Sequence, residues 1–157
     1  AAAGYCLVAT AKRDLPNVGS RRLISIVLGA ASENARANES QKLLNWGYAA
    51  FDSVKLFDAE QAVATPEVWK GKAGTVKIGR TTPIVVTVPA GSGGKLSTEV
   101  VRQDPLIAPF TKGQAMGTLK VKLGADTVAE VPLVALEGVE QAGFFGRAWD
   151  AIRLWIK

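Results

Sequence analysis

Histidine is absent from the 157 residues, and cysteine occurs only once, at Cys6. Without histidine, the chain lacks the side chain that most often serves as an acid–base catalyst or metal ligand near neutral pH. One cysteine cannot form an intramolecular disulfide, and its place in an apolar segment predicts a small buried hydrophobic residue. Histidine-based chemistry and a disulfide-stabilised fold are therefore excluded.

Long apolar runs are also missing. No segment is apolar enough to span a bilayer, and no signal-peptide pattern is present. The formal net charge is +5 at pH 7, with lysine and arginine scattered along the chain. Such a balance is compatible with nucleic acid, anionic lipid or neither as a partner. Because no basic stripe alternates with aromatic residues, we expect no nucleic-acid partner.

Two strands are predicted near the start of the chain, over residues 5–11 and 22–29. The second is apolar at nearly every position, and a strand that is apolar on both faces is normally buried on both faces. Residues 14–20 contain proline, asparagine and glycine, which favour a turn. The two strands can therefore pair as antiparallel neighbours.

A helix is predicted after the second strand, capped by Ser32 or Asn34 and continuing to Phe51. Gly47 falls inside this helical pattern, at a cost of about 1 kcal/mol. The residues expected to pack one side of the helix, with Trp46 in the core, are Ala35, Leu43, Leu44, Trp46 and Tyr48. Two strands and one covering helix form only part of a core, so this segment is predicted to be the end of a larger domain.

Beyond residue 57 the sequence changes to short β-rich runs separated by turn residues. The alternation of Leu119, Val121 and Leu123 with two lysines is typical of a half-buried antiparallel strand. We predict a small all-β sandwich over residues 58–138, which is within the usual size range of a domain. The predicted strands cover residues 61–68, 75–78, 84–88, 96–101, 115–123 and 126–134.

The last residues, 144–157, are predicted to form an amphipathic helix. Its cations lie opposite a broad apolar face, which suits a helix lying in a membrane interface. On the residues alone, a terminal helix packed on its own domain is the more common outcome, because most amphipathic helices pack on protein. The candidate membrane-anchor residues are Phe144, Phe145, Trp149, Ile152, Trp155 and Ile156.

Three segments of the first part resemble one known family: GYCLVATA at residues 4–11, RRLISIVLGA at 21–30 and RANESQKLLNWG at 36–47. They are similar to the end of the serine carboxypeptidase domain of low-molecular-mass penicillin-binding proteins. GFFGRAWD at residues 143–150 resembles the membrane anchor of the same family. The resemblance covers nearly the whole chain.

This resemblance implies an α+β architecture in three parts. Residues 1–57 would be the last two strands and last helix of the carboxypeptidase domain. Residues 58–138 would form the β-sandwich domain that follows it, and residues 139–157 the amphipathic membrane-anchor helix.

The catalytic motifs of the family are S-x-x-K, S-x-N and K-T-G. In the family, K-T-G lies just before the Gly-Tyr strand and the serine nucleophile lies further upstream, so the resemblance implies no catalytic residue in this chain. Look-alikes occur at residues 92–95 (SGGK), 32–34 (SEN) and 72–74 (KAG), in the wrong order. The first is expected in a glycine-rich loop, the second as a helix cap, and the third lacks a hydroxyl. We interpret none of them as catalytic.

Arg36 is the candidate substrate-binding residue. By resemblance it lies beside the active site and helps to bind the terminal carboxylate of a D-alanyl-D-alanine substrate, a task that suits the guanidinium fork. The alternative is an exposed helix arginine paired with Glu33 or Glu39, which contributes little to stability. The sequence leaves both interpretations open.

The resemblance implies a serine-type carboxypeptidase that removes the terminal D-alanine of peptidoglycan pentapeptide through an acyl-enzyme and is acylated by β-lactams. It implies no metal or organic cofactor, a location on the periplasmic face of the bacterial inner membrane, and contact of the last helix with an anionic membrane surface. Without the nucleophile, this chain is expected to be inactive alone and to associate with the upstream half of the same protein or with a swapped copy. The alternative function is a non-catalytic, membrane-bound spacer or partner-binding module.

Overall fold

The structure is a computed structural model, which describes residues 3–143 and Trp155. The described residues fall into two compact units, the first within residues 1–55 and 85–94 and the second within residues 56–84 and 95–157. Over residues 3–143 the fold is mostly β with one α-helix. In chain order the elements are β1 (Tyr5–Leu15), β2 (Gly19–Ala30), α1 (Glu33–Ala50), β3 (Phe51–Phe57), β4 (Ala62–Ala64), β5 (Val68–Trp69), β6 (Ile78–Gly79), β7 (Ile84–Pro89), a 3₁₀-helix (Gly93–Lys95), β8 (Leu96–Val101), β9 (Leu106–Ile107), β10 (Ala115–Leu123) and β11 (Asp126–Ala135).

β1 and β2 form an antiparallel hairpin in the first unit, as the turn residues between them predicted. Both strands run further toward the turn than predicted and leave only residues 16–18 between them. The longer register places Lys12 opposite Arg22 and Arg13 opposite Arg21. Like charges directly opposite each other weaken a strand pair, so this end of the hairpin needs support from outside the two strands.

Tyr48 of α1 provides that support. The guanidinium carbons of Arg13 and Arg21 lie 4.1 and 4.9 Å from the centre of the Tyr48 ring, within cation–π distance. The Tyr48 hydroxyl lies 2.8 Å from the carbonyl oxygen of Ala11 and 3.0 Å from that of Arg21. Tyr48 thus joins the helix to both strands at the end of the hairpin that extends past the predicted strand bounds.

α1 has a cap at each end. Ser32 has an extended backbone conformation, and its hydroxyl oxygen accepts a hydrogen bond from the N–H of Ala35 at 3.1 Å, which confirms Ser32 as the cap. At the other end, Arg21 donates to the carbonyl oxygens of Gly47 (2.5 Å) and Phe51 (2.8 Å). The last turn of α1 contains no cation, so β2 supplies the positive charge that a helix C-terminus favours.

The helix packs closely on one face of the hairpin. A Cβ atom on Gly47 would lie 2.9 Å from Cδ1 of Leu23. Close packing against β2 therefore explains why a glycine occurs inside the helix. Ser25 of β2 and Ser40 of α1 are 5% and 2% exposed, and their hydroxyl oxygens are 2.5 Å apart. A small residue and a buried polar pair therefore set the distance between α1 and β2.

The opposite face of β2 is exposed, so the prediction of a strand buried on both faces is wrong for this chain. Ile24, Ile26 and Leu28 are 65%, 60% and 73% exposed. Side chains alternate between the two faces of a strand, and α1 packs on the face that contains Ser25. One helix can cover only one of the two faces.

Two further burial predictions are also wrong. Cys6 is exposed, and Trp46 is 61% exposed. The Trp46 ring instead meets Phe51 edge to face, with ring centres 5.6 Å apart. Apolar patterning predicted both residues to lie in a core, but no element within the described residues buries them.

The second unit contains an antiparallel sheet of five strands in the order β4–β6–β11–β10–β8. The alternation predicted for β10 is confirmed for Leu119 and Val121, which are fully buried beside partly exposed lysines, whereas Leu123 at the end of the strand is partly exposed. The largest fully buried side chains of this unit are Val76, Ile78, Leu119, Val121 and Leu133. The core of the unit therefore lies against the central strands β6, β11 and β10.

The predicted strand bounds hold within one residue for β7, β8, β10 and β11. The single strand predicted over residues 61–68 is wrong, because the chain forms β4 and β5 with residues 65–67 between them. Pro66 lies in this gap and has no N–H for a sheet hydrogen bond. β5 pairs in parallel with β9, and β3 pairs with β7. The two-layer sandwich stays a prediction.

Replacing either buried hydroxyl should destabilise the first unit. We expect Ser25→Ala or Ser40→Ala to lower the free energy of unfolding by about 1 to 3 kcal/mol, because the partner is left buried without its hydrogen bond. The double variant should cost less than the sum of the two. Urea unfolding followed through the amide resonances of α1 measures these costs, with the exposed Ser20→Ala as the control. Additive costs would contradict the coupling.

Candidate functional site

The candidate site lies at the end of the hairpin where β1 begins, β2 ends and α1 starts. Tyr5 pairs with Ala30 but Leu7 pairs with Val27, so β2 contains one more residue than β1 over this stretch. Gly29 lies in the bulge with a φ of +71°, a left-handed conformation that glycine adopts readily. Such bulges bend a strand and change the direction in which the neighbouring side chains point.

A second glycine makes a close approach to this bulge. Gly4 has a φ of +63°, and a Cβ atom on it would lie 2.9 Å from the Cα of Gly29. Backbone cannot give way as the end of a side chain can, so only glycine fits at this contact. The contact positions the next two residues of β1, Tyr5 and Cys6.

Arg36 of α1 reaches back to this end of β1. Its Nη1 donates to the carbonyl oxygen of Cys6 at 3.2 Å, and its Nη2 donates to Oε1 of Glu33 at 2.9 Å. Its guanidinium carbon lies 5.8 Å from the centre of the Tyr5 ring, near the outer limit of a cation–π contact. The Arg36 side chain is 30% exposed, so it is held in place and still accessible.

The guanidinium group of Arg36 has donors left for a ligand. Arginine has five N–H donors, and within the described part of the chain the contacts with Cys6 and Glu33 use two of them. A carboxylate can take two parallel hydrogen bonds from such a fork. The ion pair expected by the alternative interpretation is present with Glu33, whereas Glu39 pairs with Lys42. The role of Arg36 toward a substrate stays a prediction.

The three catalytic look-alikes lie in ordinary structural settings. Ser32 is the cap of α1. Ser92 precedes a three-residue 3₁₀-helix, Gly93–Lys95, and not a turn of α-helix. Lys72 forms an exposed ion pair with Glu140. That none of the three is catalytic stays a prediction.

Two surface carboxylates of the second unit have lowered pKa values. A hydrogen bond from Lys122, together with its charge, lowers the pKa of Glu99, and Lys72 lowers the pKa of Glu140 in the same way. Both carboxylates belong to exposed ion pairs, which perturb pKa values without any catalytic role. Over residues 3–143 and Trp155, no cluster of three or more His, Cys, Asp or Glu side chains could hold a metal ion.

The predicted membrane-anchor residues lie almost wholly outside the described residues. Of the six, Trp155 is described, and its side chain is 88% exposed. Those outside the described residues are Phe144, Phe145, Trp149, Ile152 and Ile156. In the described part of the chain, no helix is both long and apolar enough to cross a bilayer.

Comparison with known proteins identifies the family. Residues 51–141, more than half of the chain, match the family model of the penicillin-binding protein 5 C-terminal domain. The chain belongs to this family. The first fifty residues lie outside that match, so their relationship depends on whole-chain comparisons.

The chain is similar to curated relatives along nearly all of its length. It is 39% identical over 155 residues to D-alanyl-D-alanine carboxypeptidase DacC of Escherichia coli K12, covering 98% of this chain and 38% of the relative. It is 34% identical over 156 residues to D-alanyl-D-alanine carboxypeptidase DacA of Haemophilus influenzae, covering 99% and 39%. The chain thus spans about two fifths of the length of these relatives.

Solved structures agree with this relationship. Penicillin-binding protein 5 from Haemophilus influenzae matches with a TM-score of 0.79 at 30% identity, covering 89% of this chain and 40% of that chain. The carboxypeptidase DacD from Francisella tularensis matches with a TM-score of 0.57 at 34% identity, covering 89% and 34%. The resemblance inferred from the sequence motifs is confirmed.

Sequence analysis identified Arg36 but missed the residues that surround it. Glycine inside a strand pattern is a signal for a bulge, so Gly29 could have been found. The contact between Gly4 and Gly29 depends on strand register, and the Cys6 carbonyl is a backbone group that no residue pattern singles out.

The two glycines should respond differently to alanine. A Cβ atom on Gly4 would meet backbone at 2.9 Å, whereas one on Gly29 meets only the carbonyl oxygen of Ala3, at 3.9 Å. We expect Gly29→Ala to add only the left-handed backbone cost of about 1 to 2 kcal/mol, and Gly4→Ala to cost more and to displace Arg36. Urea unfolding and the Arg36 Nε–Hε resonance measure the two effects. Equal effects of the two substitutions would contradict the close contact.

Proposed function

We propose that this chain is the C-terminal part of a serine-type D-alanyl-D-alanine carboxypeptidase that trims the terminal D-alanine of peptidoglycan pentapeptide through an acyl-enzyme. The observation that carries the proposal is the 39% identity over 155 residues with a D-alanyl-D-alanine carboxypeptidase, because the match runs through both units. The family model covers residues 51–141. We assign the first fifty residues, which lie outside the family model, to the end of the catalytic domain.

The uncovered face of the hairpin supports the proposal that this hairpin packs against other parts of a carboxypeptidase domain. Its apolar patch consists of Val8, Ile24, Ile26 and Leu28, which are 60–73% exposed. Contiguous apolar patches on soluble proteins usually mark interaction surfaces. An open groove of about 390 Å³ runs beside β2, and its lining includes Leu43, Trp46 and Phe51. We assign the patch and the groove to contacts with the rest of the carboxypeptidase domain, or with a swapped copy of this chain.

Arg36 would bind the terminal carboxylate of the peptide substrate. Its remaining donors can form two parallel hydrogen bonds to a carboxylate. The Cys6 carbonyl already orients the guanidinium group, and such preorganisation lowers the entropy lost on binding. Holding the carboxylate would place the last peptide bond for attack, so Arg36 contributes binding and orientation to the reaction.

The bond-making steps would take place on residues outside this chain. A serine hydroxyl, whose proton is taken by a nearby lysine, attacks the carbonyl between the two D-alanines. The terminal D-alanine leaves with its amine, and water then hydrolyses the acyl-enzyme. A β-lactam would acylate the same serine. We expect no metal or organic cofactor and a location on the periplasmic face of the inner membrane.

A fluorescent penicillin tests this proposal. The chain alone should remain unlabelled, because its S-x-x-K sequence at residues 92–95 is not on an α-helix, and the lysine must lie one helical turn from the serine. Co-expression with the catalytic part of a matching carboxypeptidase should give a complex in which the larger polypeptide is labelled. Denaturing gel electrophoresis with intact-mass analysis separates the two chains, and prior incubation with unlabelled penicillin is the control.

Labelling of the purified chain in the absence of any other polypeptide would refute the assignment of the nucleophile. Failure of the chain to associate with any carboxypeptidase catalytic part would refute the assignment of the hairpin face. The two results address different parts of the proposal.

A second candidate function, a partner-binding module, is favoured by a groove in the second unit. This groove of about 590 Å³ lies where β8 leaves β10, and its lining includes Val101, Arg102, Leu106, Phe110 and Met116. Within the described residues, β8 is an outer strand of its sheet, and outer strands can accept an extended peptide. If the chain forms a complex in the penicillin experiment but neither polypeptide is labelled, a partner-binding function is favoured over a function as part of the carboxypeptidase.

We further propose that the last residues attach the chain to an anionic membrane. The amphipathic pattern of residues 144–157 supports this. The full chain should sediment with vesicles that contain phosphatidylglycerol, and a chain ending at Gly143 should remain in solution. Trp46→Ser is the matched control, because Trp46 is 61% exposed but lies outside the anchor. Vesicle binding that survives the truncation would contradict the proposal.

A further inference from the structure

Among the described residues, three neighbours of the Arg36 guanidinium group differ in charge. The Cys6 carbonyl and the Tyr5 ring hold the group without neutralising it. Glu33 accepts its hydrogen bond at 2.9 Å and also brings a full negative charge. The guanidinium group that would bind a substrate carboxylate therefore already has a carboxylate beside it.

The contact with Glu33 is the exchangeable one. The Glu33 side chain is 76% exposed, against 30% for Arg36. Exposed ion pairs of this kind add little stability, so an incoming carboxylate can displace Glu33. The Cys6 carbonyl belongs to a strand backbone that the contact between Gly4 and Gly29 positions. It remains as an anchor for Arg36 when Glu33 leaves.

We propose that Glu33 is an affinity-determining residue, which occupies Arg36 in the empty site and competes with the ligand carboxylate. This inference rests on the carboxylate-binding role proposed above for Arg36. Glu33 acts through Arg36 as a positioning residue and makes no contact with the ligand. Competition of this kind disfavours small anions, which offer only a carboxylate, and favours peptides that make further contacts.

The helix offers a matched control for this competition. Glu39 and Lys42 form the same type of ion pair, at 2.8 Å, further along α1. Glu39→Gln removes one negative charge from the same helix, as Glu33→Gln does, but leaves the direct neighbours of Arg36 intact. A general effect of charge would appear in both variants, whereas loss of the competing contact would appear in one.

The experiment follows the Nε–Hε resonance of Arg36, assigned with Arg36→Lys, while the chain is titrated with N-acetyl-D-alanyl-D-alanine. The C-terminal amide of the same peptide, which lacks the carboxylate, is the ligand control. Glu33→Gln should tighten carboxylate binding by about two- to fivefold, and Glu39→Gln should leave it unchanged. Backbone amide spectra check that α1 stays folded in every variant.

Each outcome decides the question. A response that appears or tightens only in Glu33→Gln supports the inference. If the wild-type chain binds and Glu33→Gln binds equally or more weakly, the inference is overturned while the Arg36 site stands. An equal gain in Glu39→Gln also overturns it, because charge and not contact would then be responsible. If no variant responds to the carboxylate, the proposed role of Arg36 and this inference fail together.

Discussion

The packing of α1 on one face of the β1–β2 hairpin is the constraint on which the first unit depends. Ser40 meets Ser25 in the buried interface, and Gly47 lets the helix approach β2 closely. Tyr48 and Arg21 join the far end of the hairpin to the end of the helix. Because side chains alternate along a strand, the same packing leaves the other face of the hairpin apolar and exposed. The packing of α1 therefore explains both why one face of the hairpin is covered and why the other is exposed.

This packing also creates the candidate site. It brings the start of α1 to the end of the hairpin, where the bulge at Gly29 and the close approach of Gly4 bend the backbone. Arg36 can then reach the Cys6 carbonyl across the two elements. The site combines a fixed backbone acceptor with an exposed and exchangeable carboxylate, Glu33. A guanidinium group held in this way is oriented but not fully neutralised, which suits reversible binding of an anion.

Local patterns predicted the elements that depend on neighbouring residues. The cap at Ser32, the bounds of β8 and β10 and the alternation along β10 are of this kind. The predictions for Cys6 and Trp46 were wrong because burial depends on what covers a residue, and an apolar pattern does not say whether the cover is present. The single strand predicted over residues 61–68 was wrong because Pro66, which cannot donate a sheet hydrogen bond, lies between two short strands with different partners.

The sequence by itself indicated the family, the β1–β2 hairpin and the bounds of β7, β8, β10 and β11. It also singled out Arg36, whose role toward a substrate stays a prediction. The family follows from the resemblance of several segments to known motifs, and the hairpin and strand bounds follow from side-chain type and spacing along the chain. Tertiary structure alone decided the register that places arginine opposite arginine, the contact between Gly4 and Gly29, and the hydrogen bond from Arg36 to the Cys6 carbonyl. Each of these depends on distances between segments far apart in sequence, and local propensity contains no information about such distances.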